Sequence, residues 1–473
     1  KQQSSCSMHA GRRHHLDALR SAMARANPRQ FVCLVLHLAL LATAAGRHSP
    51  PAVWWHAPFF SGSGYGSEAL SYVLGIAKDT AFSKHLYISH HGDTARREVA
   101  NGLPGIEQQQ LLEMFQLPDP LDRHRAIVIC HSEPGAWSVP QAMYSTEPCP
   151  PKGHAGYKVG RTMFETDRLT KEHVRRCNQM DEVWVPTKFH VDTFEASGVD
   201  RHRLVAIPQG VDTEFFNPRK HAPIPLPTGR LVLGKGMGQQ RDLPGQRRTF
   251  VFLSIFKWEE RKAWDVLLKA YLSEFSSSDP VALILLTKPY HSESNFHSKI
   301  LSWASTSIHH GSRVDPAEYA TVYVESKHIP QDLLPALYKA ADAFVLPSRG
   351  EGWGRPHVEA MAMGLPVIAT DWSGPTAFLS GPVGYPLRIN GLVNITDGPF
   401  AGHMWADPSV SHLQELLRRV MLDRAEAAEK GRLARLHMVA NFSQAIAAKA
   451  VVDRISTIRQ KLENEERQRG SEL

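Results

Sequence analysis

The chain has 473 residues, of which 42% are hydrophobic and 21% charged, a composition that excludes a wholly disordered chain. Its length exceeds the roughly 250–300 residues that one hydrophobic core serves, so two domains with a cleft between them are expected. The formal charge of +7 sits almost entirely in residues 1–50, where Lys1, Arg12, Arg13, Arg20, Arg25, Arg29 and Arg47 face Asp17 alone; the remaining +1 excludes a nucleic-acid surface on the body.

In chain order, the basic segment leads into FVCLVLHLALLATAAG, residues 31–46, shorter than the ~20 residues of a comfortable transmembrane helix. With Ala42-Thr43-Ala44 as a small-residue cleavage site, residues 1–49 read as a leader, either signal peptide or signal anchor. It would send the chain to the endoplasmic reticulum or Golgi and offer membrane association; an organelle leader or a cytoplasmic chain is the alternative. Cys6 and Cys33 lie in or before this leader, leaving Cys130, Cys149 and Cys177. An odd, widely spaced set argues against a disulfide framework and against a Cys-x-x-Cys zinc site. Asn394-Ile395-Thr396 and Asn441-Phe442-Ser443 would be glycan acceptors in a secretory lumen.

From residue 50 to 216, the short apolar runs AVWWHAPFF (52–60), HLYISH (85–90), RAIVICHS (125–132), DEVWVPT (181–187) and LVAIPQG (204–210) are closed by polar or turn residues. Helical stretches separate them, the first predicted from Ser67, and this alternation predicts an α/β domain with a parallel sheet. Residues 217–248 carry five prolines and five glycines and read as a linker or insertion. The pattern restarts with TFVFLSIF (249–256), VALILLT (281–287), TVYVES (321–326), DAFVLPS (342–348) and LPVIAT (365–370), so residues 249–434 repeat the architecture. Helix formers and charges follow from Ser411, ending in a helical tail over 435–473 with no seam long enough for a coiled coil.

Open parallel sheets hold ligands beyond the carboxyl ends of their strands, which directs attention to three loops. In SGSGYGSEA (61–69), Gly62, Gly64 and Gly66 would let backbone N–H groups approach a phosphate at a helix start. As a dinucleotide fingerprint the loop is imperfect, because the third glycine position falls on Ser67, and an ordinary flexible turn is the alternative. In SRGEGWGRPHVEAMAMGLPVIATDWSGP (348–375), Pro356 suits the first helical position and Gly364 ends the helix, placing Glu351 in the loop and Glu359 in the first turn. That separation is too large for the pair of carboxylates that a retaining glycosidase sets about 5 Å apart. The two acids instead suit vicinal hydroxyls at two ends of one elongated ligand, with the N–H groups of Gly352, Trp353, Gly354 and Arg355 facing phosphates between them. The plainer alternative makes Glu359 a favourable helix-start charge and Glu351 a solvated loop residue. In FKWEERKAWDVLLKAY (256–271), Lys257 and Lys262 flank a turn and are placed to reach a diphosphate, the alternative being a solvated helix start.

Together these segments resemble the retaining glycosyltransferases of family four, the glycosyl transferases group 1, whose GT-B fold faces two Rossmann-like domains across a cleft. Residues 347–375 are similar to that family's E-x(7)-E donor signature, and DEVWVPTKFHVDTFEASGVDRHRLVAIPQGVDTEFF (181–216) to the segment closing its first domain. The resemblance runs from about Trp54 to about Ala434, apart from residues 217–248. It implies that Glu351 contacts the donor sugar and Glu359 the ribose, that Lys257 and Lys262 hold the diphosphate, and that His131 in CHSEPGAW lies beside the reacting sugar. Glu133 and RTMFETD (161–167) would lie near the acceptor. Two positions depart from the family pattern: Lys257 stands where Arg is usual, keeping the charge without the planar fork, and Arg355 replaces a more often aliphatic residue. The implied activity is retaining transfer of a hexosyl group from a nucleotide-diphosphate sugar to a hydroxyl of a glycan, lipid or protein, without a cofactor. No Asp-x-Asp triplet occurs, so no metal clamp is expected. The competing readings are an NAD-dependent oxidoreductase using the Gly62 to Gly66 loop with Asp93 as the ribose acid, and a catalytically inactive GT-B sugar-binding subunit.

Overall fold

The structure is a computed structural model and describes residues 50–115, 124–138, 140, 144, 146–154, 156–237, 248–289, 295–308 and 315–471. The leader expected over 1–49 lies outside them. The first sheet is parallel and holds β1 (Val53–Ala57), β2 (Leu86–His90), β3 (Ile127–His131), β4 (Lys158–Arg161), β5 (Glu182–Val185) and β6 (Leu204–Ala206), in the order β2-β1-β3-β4-β5-β6. Every residue of β1 is buried, because a parallel sheet between helical layers is covered on both faces. Its period of two sends Val53, Trp55 and Ala57 into one apolar cluster and Trp54 into the other. Helix α1 (Gly64–Ala77) covers the first face with Ala69, Tyr72 and Val73.

The second sheet contains β7 (Arg230–Leu233), β8 (Phe250–Trp258), β9 (Val281–Pro289), β10 (Thr321–Glu325), β11 (Ala343–Leu346), β12 (Val367–Thr370) and β13 (Tyr385–Leu387), ordered β13-β12-β11-β8-β9-β10-β7. It is parallel except at β7, which joins the edge antiparallel to β10. Residues 217–248 are therefore not only a connection, since Val232 and Leu233 are buried and complete the second core. A separate antiparallel pair, β14 (Ile389–Asn394) and β15 (Met404–Pro408), was not among the predicted elements.

The helical tail also differs from expectation. One helix, Arg424–Asn441, runs through the boundary placed at 434. The final helix, Gln444–Ser471, returns to the first sheet, where Ala447, Ala448, Val451, Ile455 and Ile458 are buried with Trp55, Tyr72 and Val73. The return is fixed at the crossing by Val211 N–H to Phe442 C=O at 2.8 Å and Gln444 N–H to Val211 C=O at 3.0 Å. The cysteines correct the sequence reading as well: Cys130 and Cys149 form a disulfide and Cys177 is a buried thiol. Spacing could not show this, because residue 149 comes back to the end of β3 only through the fold. No helix among the described residues is long and apolar enough to cross a membrane.

Candidate active site

The carboxyl edges of the two sheets meet, and the predicted loops of the second sheet converge on Glu351. The turn after β8 closes as a short 3-10 helix, Glu260–Lys262, ended by the buried Ala263 in the left-handed region (φ 51°). Arg349 ties this turn to the loop after β11: its Nη1 donates to Glu260 C=O at 2.6 Å, and its guanidinium meets Asp265 Oδ1 and Oδ2 at 3.0 and 2.8 Å. Lys262 Nζ consequently donates to both oxygens of Glu351, at 2.6 and 2.8 Å, and Arg261 Nη1 approaches Oε2 at 3.3 Å. The Glu351 backbone N–H donates to Ser373 Oγ at 2.9 Å. Only 6% of Glu351 is exposed. Burial alone would raise its carboxyl, but Lys262 and then Arg261 outweigh it and hold the group at about 2.

Glu359 lies on helix α2 (Arg355–Ala362), whose N-cap is Gly354 at φ 108°, a conformation that favours glycine. Its Oε2 accepts from Tyr338 Oη at 3.0 Å, and Arg355 Nε lies 3.8 Å from Oε1. Burial raises this carboxyl more than Arg355 and Tyr338 lower it. Lys257, exposed at the end of β8, has its ammonium pKa lowered by desolvation and by Lys262 and Arg261 nearby, with Glu259 opposing.

The first sheet presents the segment after β4 to this cluster. The glycines there are a matter of close approach: a Cβ on Gly350 would lie 2.1 Å from Glu165 C=O, and one on Gly352 would lie 2.5 Å from Met163 Sδ. Asp167 N–H donates to Met404 C=O at 2.9 Å, Met404 N–H returns a bond to Asp167 Oδ1 at 2.7 Å, and Phe164 packs on Phe400. Glu165 Oε1 lies 3.9 Å from Arg261 Nη1.

The structure thus brings Lys257, Lys262 and Glu351 together and sets Gly352 against the first lobe. Other expected site residues are placed differently. The Trp353 ring is 2% exposed and packs on Phe378 and Phe442 in the core, which leaves the expectation for its backbone N–H untouched. His131 is fully buried. Trp55 Nε1, which can only donate, bonds to its Nδ1 at 3.2 Å, so Nε2 carries the proton toward Glu68 Oε2 at 3.0 Å. Both ring nitrogens of His131 are thus engaged within the protein. Gly64 and Gly66 lie in the first turn of α1, which starts three residues before Ser67, while Gly62 precedes it. Ser63 Oγ already accepts the Gly66 N–H at 3.2 Å, which withdraws that amide from a phosphate.

Several residues were not singled out in the sequence. Arg261 stands inside the quoted ERK turn and was passed over for its neighbours. Glu68 and Arg161 form a buried pair with Nε–Oε1 at 2.8 Å; Arg161 also donates to Ile207 C=O at 2.8 Å, and Tyr72 Oη is 3.1 Å away. Burial would raise Glu68, but Arg161 and then His131 hold it at about 2. Ninety-three positions separate the two partners, and no local pattern signals such a pair.

Residues 247–391 match the family model described as Glycosyl transferases group 1. HepE of Anabaena, solved in complex with UDP and glucose, aligns with a TM-score of 0.57 at 14% identity, covering 86% of this chain and 99% of that one. Residues 247–391 are therefore similar to the group 1 glycosyl transferases, and the chain has the GT-B fold. A GDP-mannose-dependent alpha-(1-6)-phosphatidylinositol monomannoside mannosyltransferase of Mycolicibacterium smegmatis is 27% identical over 263 residues, 54% of this chain and 60% of that protein. Mannosylfructose-phosphate synthase of Agrobacterium fabrum is 26% identical over 219 residues, 45% of this chain and 43% of that protein. The chain spans about half the length of the curated relatives it matches. An ionised buried carboxylate beside fixed cations is chemically suited to accept sugar hydroxyls next to a phosphate.

Proposed function

We propose that the chain is a retaining hexosyltransferase that uses a nucleotide-diphosphate sugar and needs no metal. The observation that carries this reading is Glu351, buried and ionised between Lys262 and Arg261 where the two sheet edges meet. Glu351 would accept hydrogen bonds from the donor sugar and Glu359 from the ribose, while Lys257, Arg261 and Lys262 face the diphosphate. As the bond from the anomeric carbon to the phosphate oxygen breaks, positive charge grows on the sugar and negative charge on the leaving group. Fixed cations in a desolvated crevice stabilise that change without reorganising. The acceptor oxygen attacks the same face of the sugar, and its proton passes to the departing phosphate oxygen, so the configuration is retained and no cofactor is consumed.

The name of one relative and the UDP-glucose complex of HepE suggest GDP-mannose and UDP-glucose as the first donors to try, with a glycan, lipid or protein hydroxyl as acceptor. Placement in the secretory pathway is part of the same proposal; the Cys130–Cys149 disulfide supports it, since such bonds persist in oxidising compartments. The nicotinamide alternative is not favoured, because the Gly66 amide is bonded within the helix cap.

The test is donor turnover by the wild-type chain and by Glu351→Gln, with and without EDTA, and the anomeric configuration of the product followed by NMR. Glu351→Gln is expected to lose about 10²–10³-fold in kcat, with wild-type activity unaffected by EDTA. Unchanged turnover in the variant removes the donor role of Glu351, an inverted product removes retention, and loss of activity in EDTA removes metal independence.

A further inference from the structure

Where the lobes meet, one guanidinium serves three carboxylates. Arg261 Nη2 donates to Glu259 at 2.8 Å, and Nη1 lies 3.3 Å from Glu351 Oε2 and 3.9 Å from Glu165 Oε1. Glu259 and Glu351 belong to the same lobe as Arg261, whereas Glu165 comes from the other. The Glu165 side chain is also the most open of the four, 37% exposed against 21% for Arg261, 19% for Glu259 and 8% for Glu351. Its backbone carbonyl abuts Gly350, the residue before Glu351, so the carboxylate is delivered to the cluster by the contact between the lobes.

We infer that Glu165 is an internal counter-ion standing where a phosphate oxygen of a nucleoside diphosphate would sit, and that Arg261 is a third cation of that phosphate site. This rests on the donor reading given above. The cations Lys257, Arg261 and Lys262 are nominally balanced by Glu165, Glu259 and Glu351, so an arriving diphosphate leaves the crevice with excess negative charge unless a carboxylate yields. Glu351 is fixed by two cations and a backbone bond to Ser373. Glu165 can leave with the segment that carries it. It also accepts a proton more readily: partial loss of hydration raises its carboxyl more than Arg261 lowers it, and the neighbouring Glu351 raises it further. Glu165 therefore weakens nucleotide binding and favours release of the spent nucleotide.

Calorimetric titration of the full chain with UDP, GDP and ADP tests this. Glu165→Gln, which keeps shape and removes charge, is expected to bind about three- to tenfold tighter, and Arg261→Met about tenfold weaker. In the Arg261→Met background, Glu165→Gln is expected to tighten binding by clearly less, because the competition for Arg261 is gone and only the repulsion remains. Arg261→Gln serves the same purpose should Arg261→Met not fold. An unchanged Kd in Glu165→Gln, or tightening of the same size without Arg261, overturns the inference. If Lys262→Met abolishes binding while Glu165→Gln has no effect, the donor reading stands and the inference alone fails. If the wild-type chain binds none of the three nucleotides, both fail together.

Discussion

Burial acts on Glu351 and Glu359 alike, yet the two carboxyls end on opposite sides of their ordinary value. The difference is the distance to a cation: 2.6 Å from Lys262 to Glu351 against 3.8 Å from Arg355 to Glu359. Glu68 follows Glu351, held down by Arg161 and His131. For both groups the folded pKa, about 2, lies below the unfolded value. The stability they contribute is complete above roughly pH 5 and is lost as pH falls toward 2. Glu68→Gln leaves Arg161 buried without its counter-charge and is expected to cost about 3–5 kcal/mol at neutral pH. Denaturant melts at stepped pH should show this gap narrowing as the medium is acidified; a gap independent of pH would mean that Glu68 acts by shape and not by charge. Glu351, Glu359, Lys257 and Lys262 were legible in the sequence because strand-end loops and spacing to the next helix are local features. Arg161 and Glu165 were not, since their partners come from other strands and the other lobe. That the rings of Trp353 and His131 are buried was not legible for a related reason: position after a strand does not say whether a ring turns toward the crevice or the core.

At the level of elements, strands inside an apolar run were readable even when short, as β6 was, whereas polar strands and those in a glycine- and proline-rich stretch were not. β4 reads KVGR, with one apolar residue, and β7 reads RLVL inside a stretch rich in glycine and proline; neighbouring strands decide both. The β14–β15 pair is exposed along β14 and so has little apolar alternation to betray it. Yet near this pair, Phe400, His403 and Met404 meet Phe164, Thr166 and Asp167 of the other lobe. The approach of Gly350 to Glu165 belongs to the same seam. Gly350→Ala puts a methyl 2.1 Å from a carbonyl oxygen if nothing moves, so the segment 163–167 must retreat. Faster amide exchange over 162–167 and at least tenfold weaker nucleotide binding are expected. Wild-type exchange in that segment would show that the seam accommodates the methyl elsewhere.

Across the whole molecule, the repeat of alternating strands and helices gave two parallel-sheet domains and the resemblance gave GT-B, but the boundary at 217–248 was drawn by composition and that at 434 by the extent of the resemblance, and contacts cross both. The final helix illustrates the cost of that reading, since its apolar residues look like an ordinary amphipathic tail until the surface of α1 is in view. Val451, fully buried against the first sheet's core, is far in sequence from every strand it helps cover. Val451→Asp is expected to destabilise the chain by about 3 kcal/mol or more, because it buries an unpaired charge. Exchange should rise in β1 and α1 before it rises in β8; equal loosening of the two lobes would refute a local role for the helix.

The same return fixes an order of events during synthesis. Residues 250–387 have every strand of their parallel sheet once they leave the ribosome, except for the edge strand already made. The sheet made first keeps part of its oily side open to water until residues 447–458 arrive. The half translated earliest is therefore the half completed last, and for most of translation it is the part of the chain with most need of a chaperone.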